Sequence, residues 1–526
     1  MRKLFFGFIV LFLSSCNTLK LDYDYLSALN KDFKKSFNIE QKNNWHNLDI
    51  RIDSIPGMSV ERAYSELLNG KIGKKVVVAV IDAGIDITHE DIKDLIWIND
   101  DEIAGNNIDD DKNGYVDDIN GWNFLGNSYN ETLEMTRIIR DELKDNRRYE
   151  KAKETINLKI EESKKNLEFY NSLVEGFSKA KKDIQGFLGM NSFTEEDLNN
   201  IETTDSIIMA SKQRIQYFNS IDVDLDYLKE GVDYFSDQSN YHYNVNFNGR
   251  LKVGDDIYNI DDVDYGNPNV SHSKKTEDHG THVAGIIAGI RSNNIGSKGV
   301  NNNLEIMPLR AVPNGDEYDK DIALAIKYAV DNGARIINMS FGKSFSSNPE
   351  WVIDAIKYAA DNDVLIVHAA GNDAEDLDNI ENENYPNDQY LGKDEFSDNF
   401  ITVGASTMNY NENLIASFSN YGNENVDVFA PGYNVFSLTP ENEYEALSGT
   451  SMAAPAVSGV ASLVLSYFPK ISAKKLKEII LESGIKVEIK VNHAGKENIS
   501  LDSISKTGKI VNAYNALIAA SKSKRK

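Results

Sequence analysis

Cysteine is nearly missing from this chain. Among 526 residues only Cys16 carries a thiol, so no internal disulfide forms and the body of the sequence holds no cysteine nucleophile. Positive charge is also short: 56 Lys and Arg face 82 Asp and Glu, a net charge of −26. Such a surface repels phosphate backbones and argues against nucleic acid as a partner. Beyond the first residues no run is apolar for the roughly 20 positions that a bilayer-crossing helix needs. No stretch repeats internally, which removes solenoids and propellers. What remains is ordinary apolar content, 41%, in a chain long enough for one large catalytic domain plus additions.

The chain opens on an apolar run. Arg2 and Lys3 precede it, residues 4–13 form it, and Ser14-Ser15-Cys16 follow. A basic start, a short apolar core and small residues after it describe an export signal. Leu13-Ser-Ser-Cys16 also resembles a bacterial lipobox, in which the cysteine becomes the lipidated first residue. A plain signal peptide beside an incidental cysteine is the other reading. The lipobox reading makes 1–15 a signal peptide, Cys16 the lipidation site and 16–58 a lipid-attached tether and N-terminal segment. Membrane contact is then through lipid alone, at the bacterial cell envelope and its outer membrane.

Over 58–68 apolar residues recur at helical spacing, and 76–81 is a continuous apolar run ending at Asp82, as a buried parallel strand would. After His279 the pattern alternates. Strands are expected at 304–312, 335–340 and 364–370, with helices at 320–331 and 349–360. This predicts an α/β fold: a doubly wound, mostly parallel sheet flanked by helices, with active residues beyond the carboxyl ends of strands. Further helices are expected at 452–467, 471–483 and 509–521, and 523–526 is a basic tail.

His279 stands 197 positions after Asp82, far more than one crossover requires. Lys and Glu crowd 131–187, with Ile139, Leu143, Ala152, Ile156, Ile160 and further apolar residues at three-to-four spacing. That predicts one amphipathic helix, or two broken near Asn146 or Gly176. Thr194-Glu-Glu-Asp197 reads as a capping box, and 205–219 and 223–235 stay helical in character. A helical insertion over 127–245 therefore divides a catalytic domain into 59–126 and 246–522. Charged helices that pack on themselves are the plain reading of it; a lid over the substrate is the other.

Three segments bring an acid, a base and a hydroxyl: Val77-Ala-Val-Ile-Asp82-Ala-Gly84, His279-Gly-Thr-His-Val-Ala-Gly285 and Gly449-Thr-Ser-Met-Ala-Ala-Pro455. Amide hydrolysis needs a hydroxyl nucleophile, a base to deprotonate it and an anion to orient that base, and it needs no cofactor. Ser451 precedes a long apolar helix whose first turn favours developing negative charge. His279 lies at the mouth beside Asp278, and His282 one turn deeper suits a hydrogen-bonded core position. A metal held by the two histidines lacks an obvious third ligand. Asn372, after an expected strand, has the amide chemistry to stabilise an oxyanion; a turn residue with left-handed backbone is its alternative.

On these motifs, in the order Asp, His, Ser, the chain resembles the subtilisin-like serine peptidases, the subtilase family, over about 59–126 and 247–522. The resemblance implies a serine endopeptidase acting on protein or peptide substrates through an acyl-enzyme. It makes Asp82, His279 and Ser451 the triad, and Asn372 with the Ser451 N–H the oxyanion hole. Ser340-Phe341-Gly342 and Ala369-Ala370-Gly371 resemble the family's substrate-flanking segments, which pair an extended peptide by strand addition. The long spacing between Asp82 and His279 departs from the family pattern.

One acidic loop stands apart. Asp109-Asp-Asp111-Lys-Asn113-Gly114-Tyr115-Val-Asp117 sets oxygen donors at alternate positions around a glycine, as calcium loops do. Asn120 stands where an EF-hand has its bidentate Glu. A looser structural Ca2+ site using Asp109, Asp111, Asn113, Asp117 and the Tyr115 carbonyl is expected; an acidic turn without an ion is the alternative.

Overall fold

The computed structural model describes residues 37–221, 223–271, 277–389, 392 and 394–523. The expected signal peptide, Cys16 and residues 524–526 of the basic tail lie outside the described residues. The strands, in chain order, are β1 (Val77–Asp82), β2 (Trp122–Asn123), β3 (Glu305–Arg310), β4 (Ile336–Met339), β5 (Leu365–Ala369), β6 (Phe400–Ser406), β7 (Val428–Pro431), β8 (Val435–Thr439), β9 (Glu443–Leu447), β10 (Ile485–Lys486), β11 (Val491–His493), β12 (Lys496–Ile499) and β13 (Lys509–Ile510). Nine of them form one sheet in the order β10-β13-β7-β6-β5-β4-β1-β3-β2. Every pairing in it is parallel except β10 with β13.

The continuous apolar runs follow from burial on both faces. Val78 and Val80 of β1 join one core cluster while Ala79 and Ile81 join another on the opposite face. The chain goes from β1 out to β2 at the sheet edge, comes back to β3, then passes β1 to β4. Neighbouring β1 and β4 therefore send their chains to opposite sides, which opens a crevice at their carboxyl ends. Asp82 is the last residue of β1, and Ser340 follows β4 directly.

Residues 37–58, the later part of the stretch expected as a tether and N-terminal segment, are packed into this body. Helix α1 (Ile39–Asn43) is opened by a capping box between Asn38 and Gln41. Trp45, Ile55 and Met58 are buried in the core, and the Trp45 indole N–H donates to the Asn434 carbonyl at 3.0 Å. Such burial of large apolar side chains contributes about 1.5–3 kcal/mol each. Apolar residues this widely spaced gave no periodicity to read. The helix expected over 58–68 is a short α2 (Val60–Arg62) that runs on as a π-helix over Ala63–Leu68.

Between β2 and His279 lie α3 (Glu134–Arg140), α4 (Tyr149–Leu188), α5 (Glu195–Asn199), α6 (Ser206–Ser220) and α7 (Leu225–Asp237). The break falls around Asn146, and α4 runs unbroken through Gly176 for 40 residues, about 60 Å at 1.5 Å per residue. The Thr194–Asp197 capping box is formed, and Asp205 caps α6. Ala180, Ile184, Leu198 and Ile215 make one small core among these helices, and Phe177, Phe218 and Leu228 another. Both are separate from the sheet's own clusters.

Helix α8 (His279–Ala288) packs on one face of the sheet, and α9 (Asp319–Asp331) and α10 (Pro349–Asp361) on the other. Helix α11 (Thr450–Tyr467) packs against α8, with α12 (Ala473–Ser483) and α13 (Ala513–Ser523) beside it. The helix expected over 509–521 starts only at Ala513, because Lys509 and Ile510 pair as a strand with β10 and β7. Helix α11 is long and apolar but 89% buried, as a core helix is.

Candidate active site

The carboxylate and the imidazole meet. His279 Nδ1 lies 2.8 Å from Asp82 Oδ1, which also accepts the Ala83 N–H at 2.8 Å. Gly280 makes this approach possible: a Cβ there would stand 2.2 Å from the Gly84 carbonyl oxygen and 3.1 Å from the Asp82 Cβ. The first turn of α8 therefore lies directly on the end of β1. Asp82 is 1% exposed, and the His279 side chain is 36% exposed, so the acid is buried while the base faces outward. Burial disfavours the imidazolium, but the Asp82 charge, its hydrogen bond and the nearby Asp278 charge outweigh it. His279 titrates above its ordinary value of 6.5. Holding the proton on Nδ1 leaves Nε2 as the proton-accepting nitrogen.

His282 is the core residue expected of it. It is fully buried, its Nε2 lies 3.2 Å from the Glu445 carbonyl, and burial holds its pKa down at about 3. A carbonyl only accepts, so Nε2 carries the proton and is spent there. His89 is buried likewise, with Nε2 3.3 Å from the Glu443 carbonyl.

Ser451 sits in the first turn of α11. Its hydroxyl donates to the Ser340 carbonyl at 3.0 Å, and the Ser340 hydroxyl donates back to the Ser451 carbonyl at 2.9 Å. The second bond fills a gap that the sequence creates. Pro455 stands four residues along the helix and has no N–H to give the Ser451 carbonyl. Ser340 is held in turn by Asn338 of β4, which accepts from the Ser458 hydroxyl at 2.8 Å and donates to the Ser340 oxygen at 2.9 Å. This buried chain ties the start of α11 to the end of β4.

Asn372 lies three residues past β5 and is exposed. Its Oδ1 accepts the Thr450 N–H at 2.9 Å and the Thr450 hydroxyl at 3.0 Å. A backbone N–H only donates, so the amide oxygen must face Thr450, which sends Nδ2 the other way. A Cβ placed on Gly449 would stand 3.6 Å from both Asn372 Nδ2 and Ser451 N, so the two donors flank one spot. Asn372 is not left-handed; its neighbours Gly371, with φ +101°, and Ala374, with φ +55°, are.

The two expected substrate segments run side by side but are partly engaged within the chain. Ser340 is buried against Ser451, and the Phe341 carbonyl faces His368 Nε2 at 2.7 Å. The Ala369 and Ala370 carbonyls accept from Asn384 Nδ2 at 3.2 and 3.0 Å, and Ala370 also from Asn420 at 3.0 Å. The Gly371 N–H donates to the Thr450 hydroxyl at 3.0 Å. Gly342 is exposed. Strand pairing along the whole of 369–371, as expected from the resemblance, therefore competes with bonds already made.

In the acidic loop, Glu102, Asp109 and Asp111 bring carboxylate oxygens within 4.8 Å of one another. That spread suits oxygens sharing one Ca2+ at about 2.3–2.6 Å each, and a hard, all-oxygen set matches the ion's chemistry. Asn113 and Asp117 border this cluster: the Asn113 N–H donates to Asp109 and Asp111 at 3.1 and 3.0 Å, and the Asp117 N–H to Glu102 at 3.2 Å, while their side-chain oxygens take other donors. Asn113 Oδ1 accepts the Tyr115 N–H at 2.8 Å, and the Asp117 carboxylate accepts the N–H groups of Asn106 and Asn107 at 3.1 and 3.0 Å. The Tyr115 ring packs against Trp122, Phe124 and Tyr328. Glu102 escaped sequence reading because it lies upstream of the alternating run. Asn338, Thr450 and Pro455 were missed too, since their part is played through hydrogen bonds that only the fold brings together.

A profile of the Subtilase family (peptidase S8) matches residues 73–501. Subtilisin DY of Bacillus licheniformis is 35% identical over 212 residues, covering 39% of this chain and 70% of that protein. The thermophilic serine proteinase of Bacillus sp. (strain AK1) is 40% identical over 189 residues, 36% of this chain and 42% of the relative. A cell wall-associated protease of Bacillus subtilis (strain 168) is 34% identical over 223 residues, 42% of this chain and 23% of the relative. The chain thus spans less than half the length of the last two. With the matched region holding the Asp, His and Ser segments and most of the sheet, this chain belongs to the Subtilase family.

Proposed function

We propose that the chain is an exported serine endopeptidase, with Asp82, His279 and Ser451 as its triad and Asn372 with the Ser451 N–H as its oxyanion hole. The observation that carries the reading is the 2.8 Å bond between His279 Nδ1 and the buried Asp82, formed at the junction of β1 with α8, the helix against which α11 packs. For the reaction the Ser451 hydroxyl gives up the Ser340 carbonyl and donates to His279 Nε2. The imidazole removes the proton as the oxygen attacks the substrate carbonyl, and Asp82 stabilises the imidazolium. Asn372 Nδ2 and the Ser451 N–H hold the oxyanion. His279 then protonates the leaving amine, and water releases the acyl group by the same steps. Ser451→Ala tests this: casein hydrolysis by the purified protein should vanish, and undiminished hydrolysis would refute the assignment.

Two further parts belong to the proposal. Glu102, Asp109 and Asp111 hold a structural Ca2+ that cancels their mutual repulsion and plays no part in the reaction. Cys16 carries a lipid that places the protein at the bacterial outer membrane. The lipobox-like Leu13-Ser-Ser-Cys16 supports this, and the envelope location of a relative named for the cell wall fits it. Cys16→Ser should move the protein from the membrane fraction to the soluble fraction; retention in the membrane would overturn the anchor.

A further inference from the structure

The junction between α3 and α4 grips both segments that border the candidate cleft. Arg148 donates from Nη1 to the Ser344 carbonyl at 2.6 Å and from Nη2 to the Glu381 carbonyl at 2.9 Å. Its guanidinium lies over the Phe345 ring at 4.8 Å. On either side, Asn146 donates to the Ser346 carbonyl at 2.9 Å, and Lys151 donates to the Glu381 carbonyl at 2.6 Å. Arg147 reaches the Tyr385 hydroxyl at 3.1 Å and pairs with the Glu383 carboxylate. One short stretch of chain therefore ties together two loops that are remote from each other in sequence.

Each loop leads straight to a cleft segment. Ser344 continues from Ser340-Phe341-Gly342, and Lys343 and Tyr385 exchange backbone hydrogen bonds at 3.0 and 2.9 Å. Asn384, next to Glu383, donates to the Ala369 and Ala370 carbonyls. A Cβ on Gly342 would stand 2.4 Å from Asn384 Oδ1, so Asn384 touches both segments. Arg148 is 7% exposed, so its bonds are sheltered from water and their geometry is fixed.

We infer that Arg148 is a positioning residue for the peptide substrate, setting the separation of the segments 340–342 and 369–371 from the helical stretch behind them. The inference rests on the peptidase reading above. Arg148 touches neither the triad nor the oxyanion donors in any of these bonds. Its effect falls on substrates long enough to lie between the two segments, and a small ester that reaches only Ser451 escapes it.

The test compares a tetrapeptide anilide with an N-acetyl amino-acid ester on the full chain and on Arg148→Ala. For the anilide, KM should rise about tenfold with kcat nearly unchanged, the mark of lost binding that is uniform through the reaction. For the ester, kcat/KM should hold, and Arg148→Lys should recover part of the anilide loss. Equal losses on both substrates, or no change on either, would overturn the inference. If Arg148→Ala does not fold, Arg147→Ala with Lys151→Ala, both more exposed, takes its place with the same expectations. A parent protein that cleaves neither substrate would overturn the peptidase reading itself, a separate result.

Discussion

Ser340 and Ser451 exchange two hydrogen bonds, hydroxyl to carbonyl in each direction, at 2.9 and 3.0 Å. One of them supplies the donor that Pro455 withholds from the helix. Ser340→Ala keeps the carbonyl that accepts from Ser451 but removes that donor. An unmet buried carbonyl costs about 1–3 kcal/mol. The expected result is a loss of stability in that range, read from the shift of a denaturant unfolding midpoint. An unchanged midpoint would mean that the Ser451 carbonyl finds another partner.

The pH profile follows from His279. It works as a base only when neutral. Burial favours that neutral form, but the Asp82 and Asp278 charges outweigh it and hold the pKa above 6.5. Activity should therefore fall as pH drops through a midpoint above the ordinary histidine value. Asp82→Asn removes the charge that most favours the imidazolium. The acid limb should move to lower pH in that variant, while activity drops by about 10⁴ because the tautomer is no longer held. A limb that stays in place would show that another group titrates.

Asn372→Ala removes the amide that flanks Ser451 N. The expected loss is about 10²–10³ in kcat with little change in KM, the size that goes with losing one oxyanion-hole donor. Steady-state kinetics on a peptide anilide separate the two constants. A loss confined to KM would make Asn372 a binding residue instead.

Calcium should matter for stability and not for chemistry. At free Ca2+ one hundred times its Kd, a single site adds about 2.7 kcal/mol. Chelation should lower Tm, and Glu102→Gln should lower Tm in calcium and blunt the response to a chelator. A chelator that leaves Tm unchanged in the parent would remove the ion from the account.

Much of the sheet was legible because buried parallel strands are continuous apolar runs, and β1, β3, β4 and β5 fall within a residue or two of their expected bounds. The other five strands of the sheet are not among those expected: β6 and β7 went unread although both are buried throughout, and the two-residue β2, β10 and β13 leave no period to read. Residues 37–58 looked polar in sequence, and only tertiary packing reveals Trp45 and Ile55 as core. At the site, the residues with chemistry of their own stood out: Asp82, His279, Ser451 and Asn372. Those that act through others did not. Ser340, expected in a substrate-flanking segment, also engages Ser451 through its hydroxyl and its carbonyl, and nothing in a charged helical stretch marks Arg148.

The central claim is that Ser451 is a nucleophile activated by His279, and covalent labelling tests it most directly. A serine-directed fluorophosphonate incubated with the full chain should add one label, found by peptide mass mapping on the fragment that contains Ser451. Labelling should disappear in Ser451→Ala and fall steeply in His279→Ala. Labelling on another residue, or at an undiminished rate without His279, would contradict the account.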